Sequence, residues 1–149
     1  MTYQKTFSTR WADFDPNRHM RHSAYNDYAA EIRVRFFNEC GLSMDEFATL
    51  QIGPVLFKEE TSFYKEIHLG EDIRVSMALE AASPQLERWR FVHHIYNEKG
   101  DLAAKVQVYG AWIDLKKRKL THLPDIYLSL IEKIPKADDF TEIVLKTQN

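Results

Sequence analysis

An α+β architecture, one long helix laid on a five-stranded antiparallel sheet with a short helix near the C-terminus, is the fold class this sequence predicts. Between residues 23 and 40, Tyr25, Tyr28, Ala29, Ile32, Phe36, Phe37 and Cys40 recur at three- and four-residue steps, the stripe of a helix with one buried face. Strand character fills 54–68, 71–82, 86–97 and 102–115, with strict alternation at Ile73, Val75, Met77, Leu79 and Ala81, at Trp89, Phe91, His93 and Ile95, and at Ala104, Val106, Val108, Gly110 and Trp112. The breaks "LGED", "ASPQ" and "NEKGD" are short, polar and carry Gly or Pro, which joins antiparallel neighbours by hairpins.

The elements follow in order. "YQKTFSTRW", residues 3–11, alternates and is rich in aromatic and β-branched side chains, so it reads as the first strand. A charged segment leads from it into the long helix, which begins near His22 or Ser23 and meets a natural stop at Gly41. The polar link after it accommodates one helical turn at "SMDEFATL" before the four long strands. In "LPDIYLSLIEKI", Pro124 stands near a helix start and Ile126, Leu130, Ile131 and Ile134 share one side. The last dozen residues are polar and are expected to be loosely held. A single long helix over so large a sheet leaves edges in need of cover, so a homodimer or homotetramer is expected.

With 149 residues and 44% apolar content, one domain with a substantial core is expected. A net charge of −2 argues against a nucleic-acid footprint or an acidic-membrane anchor, leaving any anionic partner to be held by local charge. Cys40 is the only cysteine, which excludes an internal disulfide and suits a reducing compartment. The N-terminus lacks the apolar core of a secretory signal and no run is apolar over a membrane's width, so a cytoplasmic location is expected. Gly-rich phosphate loops, a G-x-S-x-G elbow and a dinucleotide fingerprint are missing, and no metal-ligand spacing stands out.

Chemistry concentrates at the helix entrance. "DFDPNRHMRHSAY", residues 13–25, holds two aspartates, two arginines and two histidines. The first N–H groups of a helix have no intrahelical partner, and they can hold an acyl oxygen as it gains negative charge. A turn brings Asp13 or Asp15 beside that point as nucleophile or general base. Asp13 retains the simpler reading of a loop or capping residue. His19 and His22 are the side chains whose protons move near neutral pH, and Arg18 and Arg21 either bind an anion or pair with the carboxylates.

An aspartate pair "DFD", a loop "PNRHMRHSA" and a helix opening on Tyr25, Asn26, Asp27 and Tyr28 resemble the signature of hotdog-fold acyl-CoA thioesterases of the 4-hydroxybenzoyl-CoA thioesterase type. The likeness covers roughly the first 115 residues, a core of about 3–115 with a C-terminal extension at 120–149. His19 matches the loop histidine of one branch of that family and His22 that of another. The resemblance implies that Asp15 is the catalytic carboxylate. It also implies that the backbone N–H near His22 donates to the oxyanion, with the His22 side chain orienting thioester or water. His19, Arg18, Arg21, Ser23 and Tyr25 would meet the substrate, Lys58, Lys65, Arg88 and Arg90 would meet CoA, and no cofactor or metal is required. Arg18 stands where the family usually has glycine, and Arg21 where it has asparagine or tyrosine. The "KKRK" run at 116–119 reads as solvated charge. Two alternatives remain: a non-catalytic acyl-CoA-binding module, and an enoyl-thioester hydratase, whose D-x-N-P-x-H pattern this loop matches poorly.

Overall fold

Every second side chain of the three central strands is buried, and the long helix covers that face. The computed structural model of the protein describes residues 2–146. Its elements are β1 (Tyr3–Ser8), α1 (His22–Glu39), α2 (Met44–Leu50), β2 (Ile52–Phe63), β3 (Asp72–Ala82), β4 (Arg88–Tyr96), β5 (Leu102–Asp114), β6 (Lys119–Thr121), α3 (Leu128–Lys133) and β7 (Lys136–Glu142). The main strand order is β1-β3-β4-β5-β2, antiparallel throughout, the curled sheet around a central helix that defines the hotdog fold.

α1 buries Ala24, Tyr25, Tyr28, Ala29, Ile32, Phe36 and Phe37, the stripe expected from its spacing. Phe37 meets the edge of Trp112 with ring centroids 5.6 Å apart, and Trp112 stacks with Phe47 of α2 at 5.7 Å and tilts against Trp89 at 5.8 Å. This aromatic knot ties both helices to β4 and β5, and each of its rings contributes on the order of 1.5–3 kcal/mol by leaving water. Gly41, at φ 88, supplies the left-handed residue that ends the helical run.

The ends of β1 and β2 and the number of strands differ from the sequence reading. β1 stops at Ser8, because Thr9 Oγ1 donates to Glu71 O at 2.7 Å and the chain turns into a single 3-10 turn at Trp11–Asp13. β2 stops at Phe63 rather than 68, since Tyr64 N and Lys65 N both donate to Ala103 O, at 2.7 and 3.1 Å, and bend the chain off the ladder. Among the described residues the sheet also holds seven strands rather than five. β6 pairs with the end of β5, Trp112 opposite Thr121, and β7 lies parallel to β3, Ala82 opposite Glu142. β7 corrects the expectation of a loosely held tail as far as Glu142, and Ile143 N still donates to Ala82 O at 2.8 Å. Residues 147–149 lie outside the described residues. "KADDFTE" buries little, so its pairing rests on backbone hydrogen bonds to β3, which a hydrophobic pattern does not register. Among the described residues no helix is long and apolar enough to cross a membrane.

One polar side chain of the core sets an acid limit. His93 of β4 is wholly buried. Its Nδ1 lies 3.0 Å from Ser76 O and its Nε2 2.9 Å from Arg33 Nη1. A carbonyl only accepts and a guanidinium only donates, so His93 is the neutral tautomer with the proton on Nδ1. Burial first, and the Arg33 cation second, pull its pKa down to about 3. A depressed histidine pKa means that the unfolded chain takes up the proton first. The contribution is therefore complete above pH ~6.5 and is lost as pH falls toward the folded value, about 2 kcal/mol at pH 5. The urea midpoint is expected to fall between pH 7 and pH 5, above the range where carboxylates titrate; an unchanged midpoint over that interval would contradict the assignment.

Candidate active site

Asp13 builds the helix entrance without facing it. Its carboxylate is fully buried and accepts from the backbone N–H of Arg10 at 2.8 Å, from Arg10 Nη2 at 2.9 Å and from the Tyr28 hydroxyl. Burial alone would raise its pKa, but the bonds from Tyr28 and Arg10 outweigh that and hold it below the usual carboxylate range. The same contact, after burial, pushes the Tyr28 hydroxyl up to about 12. Asp13 therefore clamps the loop to the second turn of α1, and its carbonyl receives Arg21 N at 2.8 Å to set where the helix starts.

The far side of the loop is fastened to the segment after β2. Met20 N donates to Ile67 O at 2.8 Å and Leu69 N to Arg18 O at 3.0 Å, which brings His19 opposite His68. Between these anchors the loop folds back on Asp15, whose Oδ1 accepts from Asn17 N at 2.9 Å and His19 N at 3.2 Å. Asp15 Oδ2 has no hydrogen-bond partner among the described residues. One carboxylate oxygen is thus oriented by the backbone and the other is available to a reactant.

α1 opens without a cap. Arg21 occupies the N-cap position and its side chain makes no capping bond, so the N–H groups of His22 and Ser23 have no partner among the described residues. A cavity of about 410 Å³ adjoins the start of the helix, lined by Asp15, His19, Met20, His22 and Tyr25 from the loop and helix, and by Phe63, Tyr64, Lys65 and Glu66 from the end of β2 and the bend beyond it. Tyr25 meets Phe63 edge-on at 5.2 Å, and burial, then the charge of Glu66, raises its pKa.

Asp15, His19, His22, Tyr25 and Lys65 thus come together around one cavity. Arg18, Arg21 and Ser23 do not line it. Arg18 takes φ 66, the left-handed conformation that glycine adopts without strain, so its backbone retains the turn while its side chain is exposed. Arg21 is engaged with Ala12 O at 3.0 Å, with Ser23 Oγ, and with Asp27 at 3.5 Å. Lys65 pairs with Asp101 at 3.3 Å at the cavity rim. Lys58, Arg88 and Arg90 stand elsewhere. They alternate with inward-facing residues and gather around Tyr109 on the other face of the sheet, where Arg88 Nη1 donates to its hydroxyl at 3.2 Å and Arg90 lies 5.5 Å over its ring.

Met20, Phe63, Tyr64 and Glu66 enter the site without a sequence signal, because the bend after Phe63 falls within a continuous strand-like run. The same bend creates a donor cluster that linear spacing conceals. His19 Nε2 lies 3.1 Å from Glu66 Oε2, the His19 and His68 rings are 5.1 Å apart, and one ligand atom from each of His19, Glu66 and His68 falls within 4.8 Å of the others. Two imidazoles and a carboxylate are a donor set that suits a transition metal.

An open helix N-terminus beside a half-anchored carboxylate is an arrangement that acyl transfer can use. The family model of the thioesterase-like superfamily matches residues 9–133. The chain belongs to the thioesterase-like superfamily. As a member it is a thioester hydrolase. No curated protein sequence matches it. Solved structures share the superfamily fold at low identity. A Staphylococcus aureus protein characterised in complex with CoA has 23% identity and a TM-score of 0.80, over 89% of this chain and 82% of its own. A DHNA-CoA thioesterase from the same organism has 21% identity and a TM-score of 0.77, covering 88% of this chain and 87% of its own. A 1,4-dihydroxy-2-naphthoyl-CoA thioesterase from Synechocystis has 18% identity and a TM-score of 0.78, with 89% and 97% covered.

Proposed function

We propose that this thioesterase-like protein hydrolyses acyl-CoA in the cavity at the N-terminus of α1, with Asp15 as the catalytic carboxylate. One observation carries the reading: Asp15 Oδ1 is tied down by Asn17 N and His19 N while Oδ2 is unbonded, and Asp15 shares one cavity with His22, the first residue of the uncapped helix. The thioester oxygen accepts from those N–H groups, and the helix dipole favours the charge it gains. Asp15 either takes the proton from an attacking water or attacks the carbonyl itself, forming an anhydride that water then opens. In both routes the C–S bond breaks, the CoA thiolate takes up a proton, and the acid leaves with one oxygen from water. His22 sits at the oxyanion position, and Tyr25 with Phe63 forms the apolar wall beside it.

The three solved structures named above are of a protein in complex with CoA and of two CoA thioesterases, and CoA is the carrier proposed here, with Lys65 the one Lys or Arg among the described residues that lines the cavity. A homodimer completes the unit. β2 is twelve residues long and pairs on one edge only, and it exposes Leu56, Phe57 and Phe63, surface that a second copy would cover. The location proposed is the cytoplasm.

The test is release of free thiol from short, long and aromatic acyl-CoAs without added metal or cofactor. Turnover of at least one class is expected. Saturable binding of acyl-CoA with no thiol released from any of them, even at high protein concentration, would instead identify a binding module.

A further inference from the structure

A second cavity, of about 510 Å³, lies farther along the seam between α1 and β2, walled by Phe37, Phe47, Trp89, Phe91 and Trp112 and containing a single charged side chain, Arg33. The surroundings of that cation are unusual. Among the described residues its only side-chain hydrogen bond is to the neutral His93, at 2.9 Å, and no carboxylate lies within 4 Å of it. Burial pulls its pKa down to about 10, opposed only by the more distant charge of Glu59, so it remains protonated at neutral pH. Arg33 is half-buried, and its remaining N–H donors have no side-chain partner among the described residues and are not sealed from water, so the carboxylate of a ligand in this cavity can take them up. His93 cannot serve as that anion, since its Nδ1 proton is committed to Ser76 O and its Nε2 only orients the guanidinium.

We propose that the acyl group this protein takes carries a carboxylate at its far end, which Arg33 binds, so that the substrate class is a CoA monothioester of a dicarboxylic acid. The proposal rests on the thioesterase reading above, because the reacting carbonyl is placed at His22. Arg33 follows His22 by eleven residues on one helix, about 16 Å along the axis, and the lean of helical side chains toward the N-terminus shortens that reach. A medium-length chain spans it. On α1 and β2 between the two cavities, Thr61 and Asn26 are hydrogen-bonded at 2.5 Å, and the acyl chain has to pass this pair. The planar guanidinium, held by His93 on one side, presents its remaining donors as a fork that matches a carboxylate rather than a hydroxyl or a methyl end.

The test uses non-hydrolysable thioether analogues of CoA with chains of equal length ending in a methyl or a carboxylate. Binding is read by quenching of Trp89 and Trp112 and by calorimetry. The wild-type protein is expected to bind the carboxylate-ended analogue about 10- to 100-fold more tightly than the methyl-ended one. In Arg33→Met that ratio should collapse to near one, and Arg33→Lys should recover part of it. No preference in the wild type, or a preference retained in Arg33→Met, overturns the proposal. If Arg33→Met does not fold, the wild-type ratio and Arg33→Lys still decide. Binding requires no turnover, so the two readings fail separately: selective binding without hydrolysis rejects the thioesterase, and hydrolysis without end-group selectivity rejects the carboxylate site.

Discussion

Asp15→Asn is expected to lower kcat/KM for acyl-CoA by about 10³-fold or more while leaving the thermal midpoint within about 2 °C of wild type. The substitution is nearly isosteric. The amide oxygen can still accept from Asn17 N and His19 N, the two bonds that shape the loop, so the fold has no reason to change. What disappears is the negative charge on the free oxygen, which the proposed mechanism uses either to activate water or to attack the carbonyl. Asp13 cannot substitute, because its oxygens are engaged by Arg10 and Tyr28 beneath the loop. Kinetics and calorimetry on the same preparation check both halves of the prediction. A loss of turnover with a lowered midpoint would assign Asp15 a structural role.

Gly110→Val is expected to prevent folding, and Gly110→Ala to cost about 3 kcal/mol or more. Gly110 lies mid-strand in β5, opposite Leu56 of β2 and Trp89 of β4. A Cβ there would fall 2.3 Å from Val55 O and 2.6 Å from Trp89 Cη2. Neither neighbour has room to give. The first is backbone in the β2–β5 ladder, and the second belongs to a fully buried indole that packs against Phe91 and Trp112. The position is therefore one where a ring of β4 occupies the space a side chain of β5 would need. Urea unfolding of Gly110→Ala gives the value, and a change under 1 kcal/mol would show that the ring relocates easily.

Period-two alternation makes β3, β4 and β5 legible in the amino-acid sequence, since each buries one face completely. The three- and four-residue spacing does the same for α1, and its start at His22 follows from the charged loop that precedes it. The alternation also places His93 and Gly110 on the core face, although neither is a typical core residue. What stays hidden is non-local. The bend at Tyr64 depends on a carbonyl of β5, β7 depends on the stretch of β3 that β1 leaves unpaired, and the meeting of His19 with Glu66 and His68 depends on both ends of the site being pinned. Lys58, Arg88 and Arg90 look like anion binders in the linear sequence, yet strand alternation directs them to the sheet's other face. Arg33 is the reverse case: nothing in the linear sequence singles it out, and only the fold shows it among aromatic walls beside His93.

The most direct test of the account is a structure of Asp15→Asn with an uncleaved acyl-CoA bound. The account predicts the thioester oxygen within hydrogen-bonding distance of the backbone N–H of His22 or Ser23, with the carbonyl carbon beside residue 15 and the acyl chain entering the α1–β2 seam. A thioester bound instead on the outer face of the sheet, among Lys58, Arg88 and Arg90, would contradict it.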